Sequence, residues 1–350
     1  MIILGYLLQF ILIIILQLKN SKRLRYLPFL IGTIFSLLLL TFNKGAIVGT
    51  DYRMYNNFFN YYVSRDFPSF FIKDSGWGLM VYFYIVGKVF QNFKITVAIM
   101  IIFYNYFIYY FFKKYAYNEL FYFSFLTYFS FFYVENIFNP MKQIFAICIF
   151  SLGYIWIIKR KKIKYLITII VATLFHTLSL TLIPCYYLFR NKIREKYILF
   201  IFLINLFLII ILKNNILLIG QFFSDNMRYY QYFLGAFNHV KFNIVNFFEV
   251  IVPFFLLLYL DYKYKLRKEN KKNSFFINLY YTYSFYYLIT ILDKIMGVRF
   301  TLFFSLGFSI SYPYIFLKIF RNFRFEKYFY LFYSIWLLIF LIFRHIRIVW

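Results

Sequence analysis

ITVAIMIIFYNYFIYYFF, residues 95–112, closed at once by Lys113 and Lys114, is the stretch that decides the fold. It carries no charge and has close to the length a helix needs to cross the hydrocarbon core of a bilayer, about 20 residues. Backbone in lipid must satisfy its own hydrogen bonds, so such a segment is a helix. The pattern recurs along the chain. Apolar segments run near residues 2–18, 27–42, 77–90, 95–112, 118–134, 142–158, 165–189, 197–212, 244–260, 274–292, 299–317 and 328–343. Composition agrees, because 63% of the 350 residues are hydrophobic, against about 45–50% in a soluble globular domain. No internal repeat and no soluble domain interrupts the series. The chain reads as all-α, a polytopic integral membrane protein with about ten to twelve transmembrane helices. Residues 1–350 form a single transmembrane domain on this reading.

A formal charge of +27 would suggest nucleic acid in a soluble protein. Here the cations fall in short clusters between apolar runs, at 19–25, 113–114, 159–164, 190–196, 263–272 and 318–327. The positive-inside rule assigns all of them to the cytoplasm. Twelve simple crossings cannot do this, since they leave 113–114 and 159–164 outside. Two local changes repair the topology. Segment 77–90 is short, with Gly78, Gly87 and Lys88, and need not span. Segment 165–189 contains His176 and Pro184 and can dip in and return. Ten crossings then place every cluster inside, with residues 43–76 and 213–243 as outer loops. The alternative is a plain twelve-helix protein with two violations. The first segment has no basic n-region and no small-residue cleavage site, so it is expected to be an uncleaved helix with its N-terminus outside. Cys148 and Cys185 lie in apolar segments and define no disulfide framework.

Polar residues within or beside spanning segments are costly and are candidates for function. Asp51, in Gly49-Thr50-Asp51-Tyr52-Arg53-Met54-Tyr55, is suited to bind a sugar hydroxyl or act as a base; the other reading is a helix N-cap. Lys142 and Gln143 open segment 142–158 after Asn139-Pro140. A cation and an amide at a helix mouth suit a phosphate or pyrophosphate, with Lys acting as a point charge; a snorkelling lysine is the alternative. His176, deep in an apolar run, is either a proton shuttle near neutral pH or a neutral core histidine. Arg299 clusters with Asp293 and Lys294, as a diphosphate clamp or as half of a local ion pair with Asp293. Glu249 has no obvious partner. No HExxH, CxxC or DxD is present, which argues against a metal, and no Walker A loop, GxGxxG or GxSxG, which argues against nucleotide hydrolysis and serine esterase chemistry. No cofactor is expected.

The order of motifs resembles the EpsG family of Wzy-like exopolysaccharide polymerases. Val48-Gly49-Thr50-Asp51-Tyr52 and Tyr55 come first, then Asp74-Ser75-Gly76-Trp77-Gly78-Leu79, then Lys142-Gln143 with Ala146. A basic loop follows, then Phe175-His176-Thr177-Leu178-Ser179 and a late Arg299. Lys44 stands near the place of the family's first-loop arginine, and Lys142 replaces the arginine of its Arg-Gln-x-x-Ala motif. The resemblance implies a metal-independent O-antigen-type polymerase of repeat units on polyprenyl diphosphate, at the outer face of the bacterial inner membrane. It implies Asp51 or His176 as catalytic base. Arg299, Lys142, Gln143, Lys44, Tyr52, Arg53 and Tyr55 would bind substrate. The partners implied are the lipid-linked glycan and membrane lipid, with a chain-length regulator as an open alternative to acting alone, and no nucleic acid. Two rival classes are a lipid-linked oligosaccharide flippase, against which the lack of paired broken helices speaks, and a membrane acyltransferase, whose donor site would lie on the cytoplasmic side.

Overall fold

The computed structural model describes residues 2–19, 22–42, 51–64, 77–133, 137, 141–190, 193–214, 244–288 and 294–349. Among them all regular structure is helical. In chain order the first helices are α1 (Ile2–Lys19), α2 (Leu27–Thr41), α3 (Tyr52–Val63), α4 (Trp77–Phe90), α5 (Phe93–Tyr115) and α6 (Phe121–Phe131). Then come α7 (Met141–Leu152), α8 (Tyr154–Ile158), α9 (Lys162–Phe175), α10 (Cys185–Arg190), α11 (Glu195–Asn214) and α12 (Ile244–Tyr264). The last are α13 (Leu266–Glu269), α14 (Lys271–Leu288), α15 (Lys294–Leu302), α16 (Ser305–Asn322) and α17 (Phe329–Val349). Lys22–Thr41, Phe93–Tyr115 and Met141–Ile158 are long and apolar enough to cross a membrane, and Leu7–Lys19 and Trp77–Phe90 are shorter apolar helices. The protein is an all-α polytopic membrane protein. Its chain forms two compact units, Met1–Ile183 with Tyr312–Trp350, and Pro184–Ser311.

Contacts inside the first unit bear on the two topologies. Arg25 donates through Nη1 to the Asn118 side chain at 3.1 Å. Gln17 donates to the Glu119 carbonyl at 2.8 Å, and Arg321 reaches the Glu119 carboxylate at 3.4 Å. Residues 25, 118 and 321 therefore share one side. Between residues 25 and 118 lie the apolar segments 27–42, 77–90 and 95–112. Three simple crossings would put the two ends on opposite faces, so these contacts are consistent with the ten-crossing reading. α4 has 14 residues and reaches only about 21 Å at ~1.5 Å per residue, short of a hydrocarbon core of roughly 30 Å.

Segment 165–189 is interrupted as well. α9 ends at Phe175, His176 takes an extended conformation, and a 3-10 turn follows over Thr177–Leu182. The Tyr165 hydroxyl, near the start of α9, donates to the Leu182 carbonyl at 2.6 Å. Leu182 has thus come back beside Tyr165, and the segment folds on itself rather than running straight through.

Several buried polar groups inside the first unit pair with one another, which apolar surroundings favour. Tyr133 donates to Asn105 at 2.9 Å and shares a 3.0 Å hydrogen bond with Ser36. This network fits only because residue 32 is glycine, where a Cβ would stand 2.8 Å from the Tyr133 hydroxyl. Thr127 meets the Tyr333 hydroxyl at 2.6 Å, and Trp336 donates to Tyr312 at 3.1 Å.

The second unit carries a buried ion network. Arg267 donates through Nε to Asp261 at 2.5 Å, through Nη2 to Glu195 at 2.9 Å and through Nη1 to Asn278 at 3.1 Å. Its backbone N–H adds a 3.2 Å bond to Asp261. Asn278 in turn donates to the Phe189 carbonyl at 3.2 Å. The basic clusters at 190–196 and 263–272 therefore lie at one end of this unit, as the charge rule requires.

Candidate functional site

The segment between α2 and α4, expected as an outer loop, contributes a helix of its own. In α3 the residues Tyr52, Tyr55, Phe59 and Tyr62 are buried, a spacing of three and four that marks one helical face. That face packs on α4 and on the start of α5. Tyr52 lies 5.2 Å from Phe93, Phe59 lies 5.9 Å from Phe83 and 5.5 Å from Phe93, by ring centroids. The approach is close, since a Cβ at Gly87 would stand 2.4 Å from Val63. Burial pushes the Tyr52 phenol above its ordinary value, so its hydroxyl stays neutral.

Asp51 occupies the N-cap position of α3, yet its carboxylate accepts no capping hydrogen bond from the helix. It is half-buried. Arg53, two residues on, is exposed, whereas Tyr52 and Tyr55 turn inward. Lys44, Gly49 and Thr50 lie outside the described residues.

Lys142 and Gln143 stand in the first turn of α7, where unpaired backbone N–H groups and the helix dipole favour an anion. Gln143 and Ala146 are buried. Lys142 is half-buried and places its ammonium 5.2 Å from the Phe58 ring centroid of α3, within cation–π range. The loop helix that follows Asp51 and the helix mouth at Lys142 are thus direct neighbours.

His176 is the residue at which α9 breaks. Its N–H donates to Ala172 at 3.0 Å and its carbonyl accepts from Ser179 at 3.0 Å, and its side chain is half-buried. The preceding Phe175 stacks on Phe145 of α7 at 5.2 Å. On its other side Phe175 presses on Gly78, where a Cβ would be 2.4 Å from the ring. α4, α7 and α9 therefore meet around Phe175, which is next to His176 in sequence and stacks on Phe145, one turn along α7 from Lys142. The sequence shows Gly78 as a motif position and as a weak point of segment 77–90, and Phe175 as a motif position; their partnership is a tertiary fact.

Arg299 belongs to the second unit, on the last turn of α15 and half-buried. Its neighbour Phe300 packs on Tyr286 of α14 at 5.4 Å. Asp293 and the side chains of Lys294 and Glu249 lie outside the described residues.

Compared with models of known families, the chain matches the EpsG family over residues 26–348. None of the curated proteins and none of the solved structures compared with it matches.

Proposed function

The chain belongs to the EpsG family, and we propose on that premise that it polymerises polyprenyl-diphosphate-linked oligosaccharide repeat units at the outer face of a bacterial inner membrane. A hydroxyl of one lipid-linked unit attacks the anomeric carbon of a second. The new glycosidic C–O bond forms as the bond to the diphosphate breaks, and polyprenyl diphosphate departs with the electron pair. The hydroxyl proton passes to a base. The leaving group already stabilises negative charge well, so the protein's task is to orient the two units and neutralise the diphosphate.

One observation carries this reading most directly. The apolar helix α9 stops at His176 and packs, through Phe175, on α7, whose first turn holds Lys142. Interrupted backbone is tolerated in a membrane protein where it lines a cavity, and an imidazole and an ammonium are the groups this chemistry uses. Lys142 at the mouth of α7 is one candidate to neutralise the diphosphate, and Arg299, in the second unit, is the candidate for bidentate binding. Asp51 and His176 remain the two candidates for the base.

The test uses point variants in cells, with lipid-linked intermediates and polymer sized together. Arg299→Ala and His176→Ala are each expected to abolish long polymer at normal protein levels, with single repeat units accumulating on lipid. Unaltered polymer in either variant removes that residue's role.

A further inference from the structure

A cleft of about 460 Å³ opens between the outer end of α3 and the turn joining α4 to α5, within the usual volume of ligand sites, roughly 300–1,000 Å³. Its lining is chemically consistent. Four amide side chains, Asn56, Asn60, Gln91 and Asn92, ring it, and Lys94 supplies one cation. Tyr52, Phe59 and Phe93, all largely buried, lie beneath it. No carboxylate lines it.

The amides are presented outward. Asn60, Gln91 and Asn92 are exposed and Asn56 is half-exposed. Asn92 commits its Oδ1 to capping α5, accepting from Ile95 N–H at 3.2 Å, which leaves its NH2 group facing the cleft. Among the described residues no intramolecular hydrogen bond occupies the side-chain amides of Asn56, Asn60 or Gln91. Gln91 ends α4 with φ 48°. That is the left-handed position where glycine or asparagine is the ordinary solution, and Arg160, Lys265 and Arg324 take it as well.

We propose that this cleft is a saccharide subsite, which holds one sugar ring of the glycan beside the Asp51 end of α3. An amide offers a donor and an acceptor together, the pair that adjacent ring hydroxyls require. Aromatic rings beneath give the apolar C–H face of a sugar a surface to rest on. The proposal rests on the outer-face placement of residues 43–76 and on the polymerase reading for the identity of the glycan, but not on any catalytic residue.

The experiment measures binding without turnover. The full chain in lipid nanodiscs is mixed with oligosaccharides released by mild acid from the host's own surface polysaccharide, and saturation-transfer NMR reads contact with sugar C–H protons. Gln91→Gly deletes an amide while suiting the backbone, and Asn60→Ala deletes another at an exposed position. Each is expected to weaken binding by roughly three- to tenfold, the worth of a hydrogen bond or two. Gln91→Asn, which keeps the amide, is expected to bind as the parent does. Equal binding by Gln91→Gly, Asn60→Ala and parent, or no transfer with the parent, overturns the subsite. Loss of binding in the two amide variants in a protein that proves not to polymerise would retain the subsite and remove the polymerase reading alone.

Discussion

Replacing Arg267 by Met is expected to cost most of the stability of the second unit. The side chains of Arg267 and Asp261 are both fully buried, and Glu195 is 24% exposed. Three groups converge on one guanidinium, at 2.5, 2.9 and 3.1 Å. Removing the cation leaves the Asp261 carboxylate uncompensated and out of reach of water. Breaking a buried pair in this way costs about 3–5 kcal/mol, or roughly two to four orders of magnitude in the folding equilibrium. Glu195 can turn to solvent, so Glu195→Gln is expected to cost only about 1 kcal/mol. Replacing Arg267 and Asp261 together by Met and Leu removes both buried charges and is expected to recover most of the loss. The assay is thermal unfolding of each purified variant in one detergent, followed by size-exclusion. The expected order of midpoints is parent, Glu195→Gln, double variant, then Arg267→Met. An Arg267→Met midpoint equal to the parent's would refute the claim that Asp261 depends on this cation.

Gly78→Ala is expected to lower polymer yield strongly without touching a polar group, because the new methyl must displace the Phe175 ring that seats the His176 break; polymer sizing at matched protein levels checks it, and parental yield would show that this packing is dispensable. Gly32→Ala meets the Tyr133 hydroxyl instead and is expected to lower the unfolding midpoint by a cost of about 1–3 kcal/mol for overpacking. The topology is open to thiol labelling, since Cys148 and Cys185 are both buried and contribute little background. Asn118→Cys is expected to label only from the cytoplasmic side and Asn60→Cys only from outside. Labelling of both from the same side would return α4 to the list of full crossings.

The apolar segments were legible in the sequence, because they follow from transfer energy, which is local. The short α4 was legible for the same reason, and the Arg25 contact with Asn118 is consistent with the ten-crossing reading that hydropathy left open. The amphipathic α3 was written in the spacing of Tyr52, Tyr55, Phe59 and Tyr62, within a loop whose reading stopped at its first motif. The Arg267 network was missed, although Glu195 and Asp261 are acids beside strongly basic clusters, which is the signal that could have found them. Which residue would face which acid depends on how α11, α12 and α14 pack, and no local pattern encodes that. The same holds for Phe175 on Gly78, and for the amides of α3 and the α4–α5 turn, which come together only after α3 folds back onto α4.

The most direct measurement is the surface glycan of a strain lacking this gene, sized beside its lipid-linked intermediates. Single repeat units reaching the outer face with no long polymer is the result expected of a polymerase. Repeat units trapped on the cytoplasmic face, or a glycan profile identical to the parent's, would contradict it.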